Sequence, residues 1–226
     1  MTENQRDRMW HPEAINQDVE RALRHLHDRS WVGDFYLAGG TGLAVQSGHR
    51  RSVDLDFFSE EMFNEDLLIQ KLGGLHDFSV VSKAGSTLHI GIGAVKVSFL
   101  GYSYPVLFPF LFFLGVRLAD ERDIACMKIS AIASRGTRRD FIDLYIVSKE
   151  YGLAALLDLF KRKYSRANYS GIHILKSLTY FDEAQGRTEH LGAFGWDPVG
   201  PNADGPNADY PRVVLKRGHV CSTSAT

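Results

Sequence analysis

Cysteine is scarce: the 226 residues include two, Cys126 and Cys221, with no paired spacing. That argues against a disulfide framework and predicts a reducing, cytoplasmic setting. An excess of charge of either sign is also missing. Lys plus Arg number 26 and Asp plus Glu 27, for a formal net charge of -1. No global field advertises nucleic acid or a membrane surface, so any RNA contact has to come from a local patch. Apolar runs of bilayer length are absent too. The longest candidate, Tyr104 to Leu118 (YPVLFPFLFFLGVRL), contains Pro105, Pro109 and Arg117 and is too short to cross a membrane. It reads as a buried strand or packed loop; exposed, it would be a partner-binding patch. Met1 to Arg8 is polar, with no apolar core of a signal peptide. What the chain does have is 44% hydrophobic residues, enough for one sizeable core or two small ones.

The most informative stretch is Leu37 to Phe58, LAGGTGLAVQSGHRRSVDLDFF. A short strand, Phe35 to Ala38, is predicted to run into Gly39-Gly40-Thr41. A glycine pair lets the backbone turn and approach a ligand without a Cβ clash. Amides of such a turn, followed by a helix N-terminus, attract phosphate. Downstream comes Asp54-Leu55-Asp56 among Val53, Phe57 and Phe58. On a strand, alternate side chains share a face, so both aspartates point the same way. Two adjacent carboxylates in apolar surroundings repel unless a cation lies between them. Mg²⁺ suits that place, since it takes one or two carboxylates together with phosphate oxygens. A phosphate-cradling turn with a metal-holding acid pair is equipment for phosphoryl or nucleotidyl transfer from an NTP. Arg50 and Arg51, just before the acids, can contact triphosphate or an RNA backbone, or simply offset the acid pair.

These residues also carry a resemblance. Gly40-Thr41 followed by Asp54-X-Asp56 resembles the active-site signature of the DNA polymerase β-like nucleotidyltransferase superfamily. The wording LAGGT-LA-Q-GHR-S-DLDFFS, and later DIA-MKI-AIASRG-RRDFIDLY, is similar to the AbiEii/AbiGii toxin family within it. The likeness runs from about Val32 to about Tyr180. It implies a polymerase β-like core and a toxin of a type IV-like toxin–antitoxin or abortive-infection system, with a cognate antitoxin. It implies an NTP, often GTP or CTP, as donor and an RNA such as tRNA as acceptor. Many relatives place a third acid on a strand beside Asp-X-Asp; the corresponding position here is Ser98, which cannot serve as a metal-binding carboxylate. Either another acid replaces it, or catalysis is weakened, or the site binds nucleotide or a protein partner without turnover.

Along the rest of the chain, Pro12 to His27 reads as an amphipathic helix with Ile15, Val19, Ala22, Leu23 and Leu26 on one stripe. Thr41 to Ser47 is a short helix capped by Gly48. Asn64 caps a helix from Glu65 to Leu72. Phe78 to Ser82 is a strand, and Leu88 to Ile92 with Val95 to Leu100 form a hairpin around Gly93-Ala94. Asp120 caps a helix to Ser134, with Ile124, Met127, Ala131 and Ile132 inward. Lys128 lies near that stripe. It can meet triphosphate as a point charge or snorkel to water, and the resemblance implies the first. A helix from Arg139 to Lys149 carries Asp140 and Asp143, with Phe141, Ile142, Leu144, Tyr145 and Val147 burying the rest. Asp140 is explained by Arg138, Arg139 or the helix dipole; Asp143 is the candidate for the missing carboxylate. Leu153 to Lys163 is another helix. Its Lys161-Arg162-Lys163, together with Arg166, Arg135, Arg138 and Arg139, is either a solvated face or an RNA-backbone patch. Ile172 to Phe181 closes the helical part.

After Gln185 the composition changes to a tandem GPNAD repeat, Gly200 to Asp204 and Gly205 to Asp209, which cannot bury enough apolar surface to order itself. The expectation is an α/β (α+β) chain with three parts. Residues 1–118 form a nucleotidyltransferase core with a small mixed sheet, 119–185 a helical region, and 186–226 a disordered, non-catalytic tail. Asp54 and Asp56 hold Mg²⁺, Gly39, Gly40 and Thr41 with Arg50, Arg51 and Lys128 bind nucleotide, and Asp54, Asp56, Lys128 and Asp143 are catalytic. Arg135, Arg138 and Arg139 contact RNA.

Overall fold

A computed structural model describes residues 9–75 and 77–180, and the 186–226 tail lies outside them. The fold is mixed α/β, as expected. Its seven-stranded sheet has the order β3-β4-β5-β2-β1-β7-β6. The strands are β1 (Tyr36–Ala38), β2 (Leu55–Ser59), β3 (Phe78–Lys83), β4 (Thr87–Ile92), β5 (Val95–Gly101), β6 (Leu111–Phe113) and β7 (Val116–Leu118). The helices are α1 (Gln17–His27), α2 (Gly39–Ser47), α3 (Glu65–Leu72), α4 (Glu121–Ser134), α5 (Arg138–Tyr151), α6 (Leu153–Lys163) and α7 (Gly171–Ser177). β2 lies antiparallel to β1 and parallel to β5.

Strand alternation divides the core in two. Leu37, Leu55, Phe57, Leu88, Ile90, Val97 and Phe99 point to one face, where they meet Val19, Leu23 and Leu26 of α1 and Leu68 and Leu72 of α3. Tyr36 and Ala38 point the other way, into a second cluster with Leu43 of α2 and the apolar residues of α4, α5 and α6. Phe57 is fully buried and its ring stacks on Phe99 at 5.4 Å, so truncating it to Ala costs about 3–5 kcal/mol. Among the described residues, no helix is long and apolar enough to cross a membrane.

Local capping set most helix starts. Asn64 accepts from the Leu67 amide at 3.0 Å and Asp120 from the Arg122 amide at 3.0 Å, where the sequence placed both caps. The first helix is shorter than expected. Pro12–Ala14 is a separate 3₁₀ turn, and α1 starts only after Asn16, whose side chain accepts from the Val19 amide. Tyr104 to Leu118 is neither one strand nor a loop. It contains the β6–β7 hairpin, turned by Leu114 (φ 48) and Gly115 (φ 84), the two positive-φ positions of a type I′ turn.

Two inward stripes differ from expectation. α4 is covered by α2, α5, α6 and α7, so Asp123, Ala125, Cys126, Lys128 and Ile129 are buried beside Ile124, Met127 and Ile132, whereas Ala131 is half-buried. On α5 the buried stripe is Asp140, Asp143, Leu144 and Val147, while Phe141 and Ile142 are half-buried and Tyr145 is exposed. α7 ends at Ser177, and it buries Ile174 rather than Ile172, Leu175 or Tyr180. Cys126 is a free, buried thiol that desolvation pushes up to about 12, so it is inert at neutral pH.

Candidate active site

The site lies where the C-terminal end of β1 meets the N-terminal end of β2. β1 leads directly into α2, so Gly39, Gly40 and Thr41 form the first turn of that helix rather than a separate loop. Gly39 has φ +65, and a Cβ there would lie 2.7 Å from Asp56 Oδ2. A Cβ on Gly40 would collide with the Arg50 guanidinium. The glycine pair therefore leaves room for the site's own acid and its own cation. Thr41 is buried; its hydroxyl lies 2.7 Å from Ser52 Oγ and hydrogen-bonds the Asp54 carbonyl, so it fastens the acid-bearing segment to α2.

Asp56 is half-buried on β2 and Asp54 is exposed just before it. Leu55 between them is buried in the core, and Asp54 lies near enough for its charge to act on Asp56. Desolvation, reinforced by the charge of Asp54, pushes the Asp56 carboxyl above its usual range, against a hydrogen bond from Ser98 and the charges of Lys128 and Arg135. A carboxylate so placed gains from a hard cation, and a pair of oxygen-donor acids fits a divalent ion. Among the described residues, no group of three or more His, Cys, Asp or Glu side chains could hold a metal. Phosphate oxygens and water would have to complete the shell. In the parallel register of β2 and β5, Asp56 stands opposite Ser98, where a third acid would be expected.

A buried ion cluster underlies this end of the strands. Asp143 is fully buried and both its oxygens are engaged. Oδ1 accepts from Arg50 Nε at 2.7 Å and lies 2.8 Å from His49 Nε2; Oδ2 accepts from Arg50 Nη2 at 3.0 Å and lies 2.7 Å from Lys128 Nζ. Desolvation raises the Asp143 pKa, but these hydrogen bonds and the Lys128 and Arg50 charges outweigh it and hold the carboxyl well below the usual range. Lys128 also donates to Asp140 at 2.9 Å. Asp140 is not paired with Arg138 or Arg139. It closes a capping box with Thr137, and it lies 3.6 Å from Arg135.

The structure thus brings Gly39, Gly40, Arg50 and Asp56 together, and joins Arg50, Lys128 and Asp143 in one cluster beside them. Arg51, Arg135, Arg138 and Arg139 are exposed. Lys163 does not belong to any surface patch: it is fully buried, 2.8 Å from Asp123 and 2.8 Å from the Pro105 carbonyl. Sequence reasoning missed His49, which lies against Asp143, and His89, which lies against Ser98. For His89 the signal was available, because a two-residue turn at Gly93-Ala94 pairs Ile92 with Val95 and hence His89 with Ser98. Cavities of about 400 Å³ and about 420 Å³ lie elsewhere; the first is lined by Tyr36, Ser59, Phe110 and Arg117 and the second by Glu60, Tyr104 and Lys163, and neither touches the aspartates.

Comparison with known proteins identifies the family. A model of the family described as "Nucleotidyl transferase AbiEii toxin, Type IV TA system" matches residues 21–194. The uncharacterized protein aq_aa25 of Aquifex aeolicus (strain VF5) is 36% identical over 177 residues, which cover 76% of this chain and 85% of that protein. Among solved structures, JHP933 of Helicobacter pylori is 17% identical with a TM-score of 0.45, covering 79% of this chain and 98% of that one. The nucleotidyltransferase toxin MenT4 of Mycobacterium tuberculosis H37Rv is 14% identical with a TM-score of 0.42, covering 83% of this chain and 72% of that one. These two likenesses are distant, and the family assignment rests on the sequence match.

Proposed function

The chain belongs to the AbiEii nucleotidyl transferase toxin family of type IV toxin–antitoxin systems, and on that premise we propose that it moves a nucleoside monophosphate from an NTP to an acceptor hydroxyl on RNA, such as a tRNA. It works in the cytoplasm, requires Mg²⁺ and is controlled by a cognate antitoxin. The observation that carries this reading is the approach of Asp56 to Gly39 at the start of α2, with Asp54 adjacent and the charge of Lys128 within reach.

Asp54 and Asp56 would hold the divalent ion, which when bound neutralises charge on the triphosphate and on departing pyrophosphate. The first-turn amides of α2 are poised for phosphate oxygens, and Gly39 and Gly40 keep side chains out of the way. Lys128 contributes a fixed positive charge. Asp143 anchors Lys128, Arg50 and His49. Its depressed pKa and fully engaged oxygens suit a positioning group, not a proton acceptor or metal ligand. Arg51 is free to meet phosphate, and Arg135, Arg138 and Arg139 lie on the surface where an RNA backbone would pass.

A second reading is favoured by one observation, Ser98 opposite Asp56: a relative that binds nucleotide or a protein partner without turnover. Incubation with labelled NTPs, Mg²⁺ and total RNA separates the two. Label transfer that disappears in Asp54→Ala and Asp56→Ala supports the enzyme. Saturable NTP binding without transfer supports the nucleotide-binding form of the second reading, and a protein that binds no NTP leaves its partner-binding form.

A further inference from the structure

On the face of the sheet that carries Asp56, a cross-strand row runs on through Ser98, His89 and Ser82, which the proposed chemistry does not use. Ala38, Asp56, Ser98, His89 and Ser82 are cross-strand partners in turn, from β1 through β2, β5 and β4 to β3. Their neighbours along the strands, Leu55, Val97, Leu88 and Ile90, face the core, so the row is fixed by the same register that buries the apolar side chains. Within the row, His89 Nδ1 is 3.0 Å from Ser98 Oγ, and Ser98 is 4% exposed. Water has little access to compete for that hydroxyl.

Elementary hydrogen-bond rules give the chain a direction. An ionised carboxylate only accepts, and a serine hydroxyl has one proton to donate. If Ser98 gave that proton to His89, its lone pairs would face the Asp56 carboxylate and repel it. The favourable order is His89 Nδ1–H donating to Ser98 Oγ, and Ser98 O–H donating to Asp56. The tautomer of His89 follows from that order.

We propose that His89 is a positioning residue for Asp56: by donating to Ser98 it directs the serine proton onto the Asp56 carboxylate, orienting that acid for a divalent cation at the place where β5 lacks an acid of its own. This rests on the reading of Asp54 and Asp56 as the cation-holding pair. Groups that orient a metal ligand through a second hydrogen bond typically alter metal affinity by about 10- to 100-fold when removed.

The test is Mn²⁺ binding, followed by the loss of the free-ion electron paramagnetic resonance signal, on full-length protein whose folding is checked by circular dichroism and melting. Asp56→Ala first establishes the site: wild-type binding that this variant abolishes supports the cation-holding pair. His89→Phe and Ser98→Ala should each weaken Mn²⁺ binding by about 10-fold. His89→Asn places an amide N–H near the former Nδ1 and should stay within about threefold of wild type, whereas a packing role would not distinguish it from other replacements of similar size. Adding His89→Phe to Ser98→Ala should cost nothing further, because the path through Ser98 is already cut. The inference is overturned if His89→Phe binds Mn²⁺ like wild type, if His89→Asn is as weak as His89→Phe, or if His89→Phe costs the same with and without Ser98. Wild-type protein that binds no Mn²⁺ overturns the cation-site reading itself, and the positioning role with it.

Discussion

Helix α4 takes part in two buried ion clusters that differ in what surrounds them. Near its N-terminus Asp123 meets Lys163, with side chains only 1% and 0% exposed. Asp123 also accepts the Leu107 and Phe108 amides, and Lys163 also donates to the Pro105 carbonyl. Further along, Lys128 meets Asp140 and Asp143, and Arg50, 18% exposed, reaches from beside Gly40 to the same Asp143. The first cluster is closed by backbone groups of the segment it holds in place. The second gathers positive side chains next to the acid-bearing strand and keeps an edge open to solvent. Buried charge alone does not separate architecture from chemistry; what the remaining valences face does.

Substitutions can break or sharpen this contrast. The largest effect is expected for Asp56→Ala, next to the open cluster: a fall in nucleotide transfer on the order of 1,000-fold with little change in melting temperature. Transfer assays beside thermal melts check it, and an active variant would remove the metal site. Asp143→Asn should lower both transfer and stability, the latter by about 3 kcal/mol, since it leaves Lys128 and Arg50 short of a counter-charge. A stability loss without a transfer defect would make this cluster as architectural as the other. Lys163→Met should lower stability by about 3 kcal/mol, measured by urea unfolding, while transfer per folded molecule is kept. A selective loss of transfer there would reverse the contrast.

Acid gives a smaller, signed test. Asp143 titrates lower folded than unfolded, so its contribution is fully present above the unfolded carboxylate value of about 3.9 and fades as pH falls through the lower folded value. The stability gap between wild type and Asp143→Asn should hold at about pH 6 and narrow below about pH 4. Smallest of all, Arg138→Ala or Arg139→Ala should weaken RNA binding alike across sequences and reduce its salt slope by about 1, with transfer on saturating RNA little changed.

Short-range signals were legible in the sequence. Asn64 and Asp120 announce α3 and α4 because a cap acts within three residues of itself. The β4–β5 hairpin follows from alternation and Gly93-Ala94. Leu37 to Phe58 named the glycines and acids that the fold brings together. Long-range pairings were not legible. Arg50 and Asp143 are 93 positions apart, and nothing local to Asp143 shows that its partners arrive from the α2–β2 connection. Lys163 sits in a run of like charges, and only its distance to Asp123, 40 positions earlier, shows that it points inward. The β6–β7 hairpin was hidden because its aromatic run masks strand alternation, and Leu114 is an unusual occupant of a left-handed turn position.

β2 is the fourth of seven strands, with three on either side. Its amides should be among the last to exchange with deuterium, at rates that report global opening, while those of β3 and β6 at the margins exchange through local fraying. Asp56 should therefore keep its backbone setting through any excursion short of complete unfolding. A molecule that restrains this chain without denaturing it would have to act through the helices and loops around that strand rather than by loosening the strand itself.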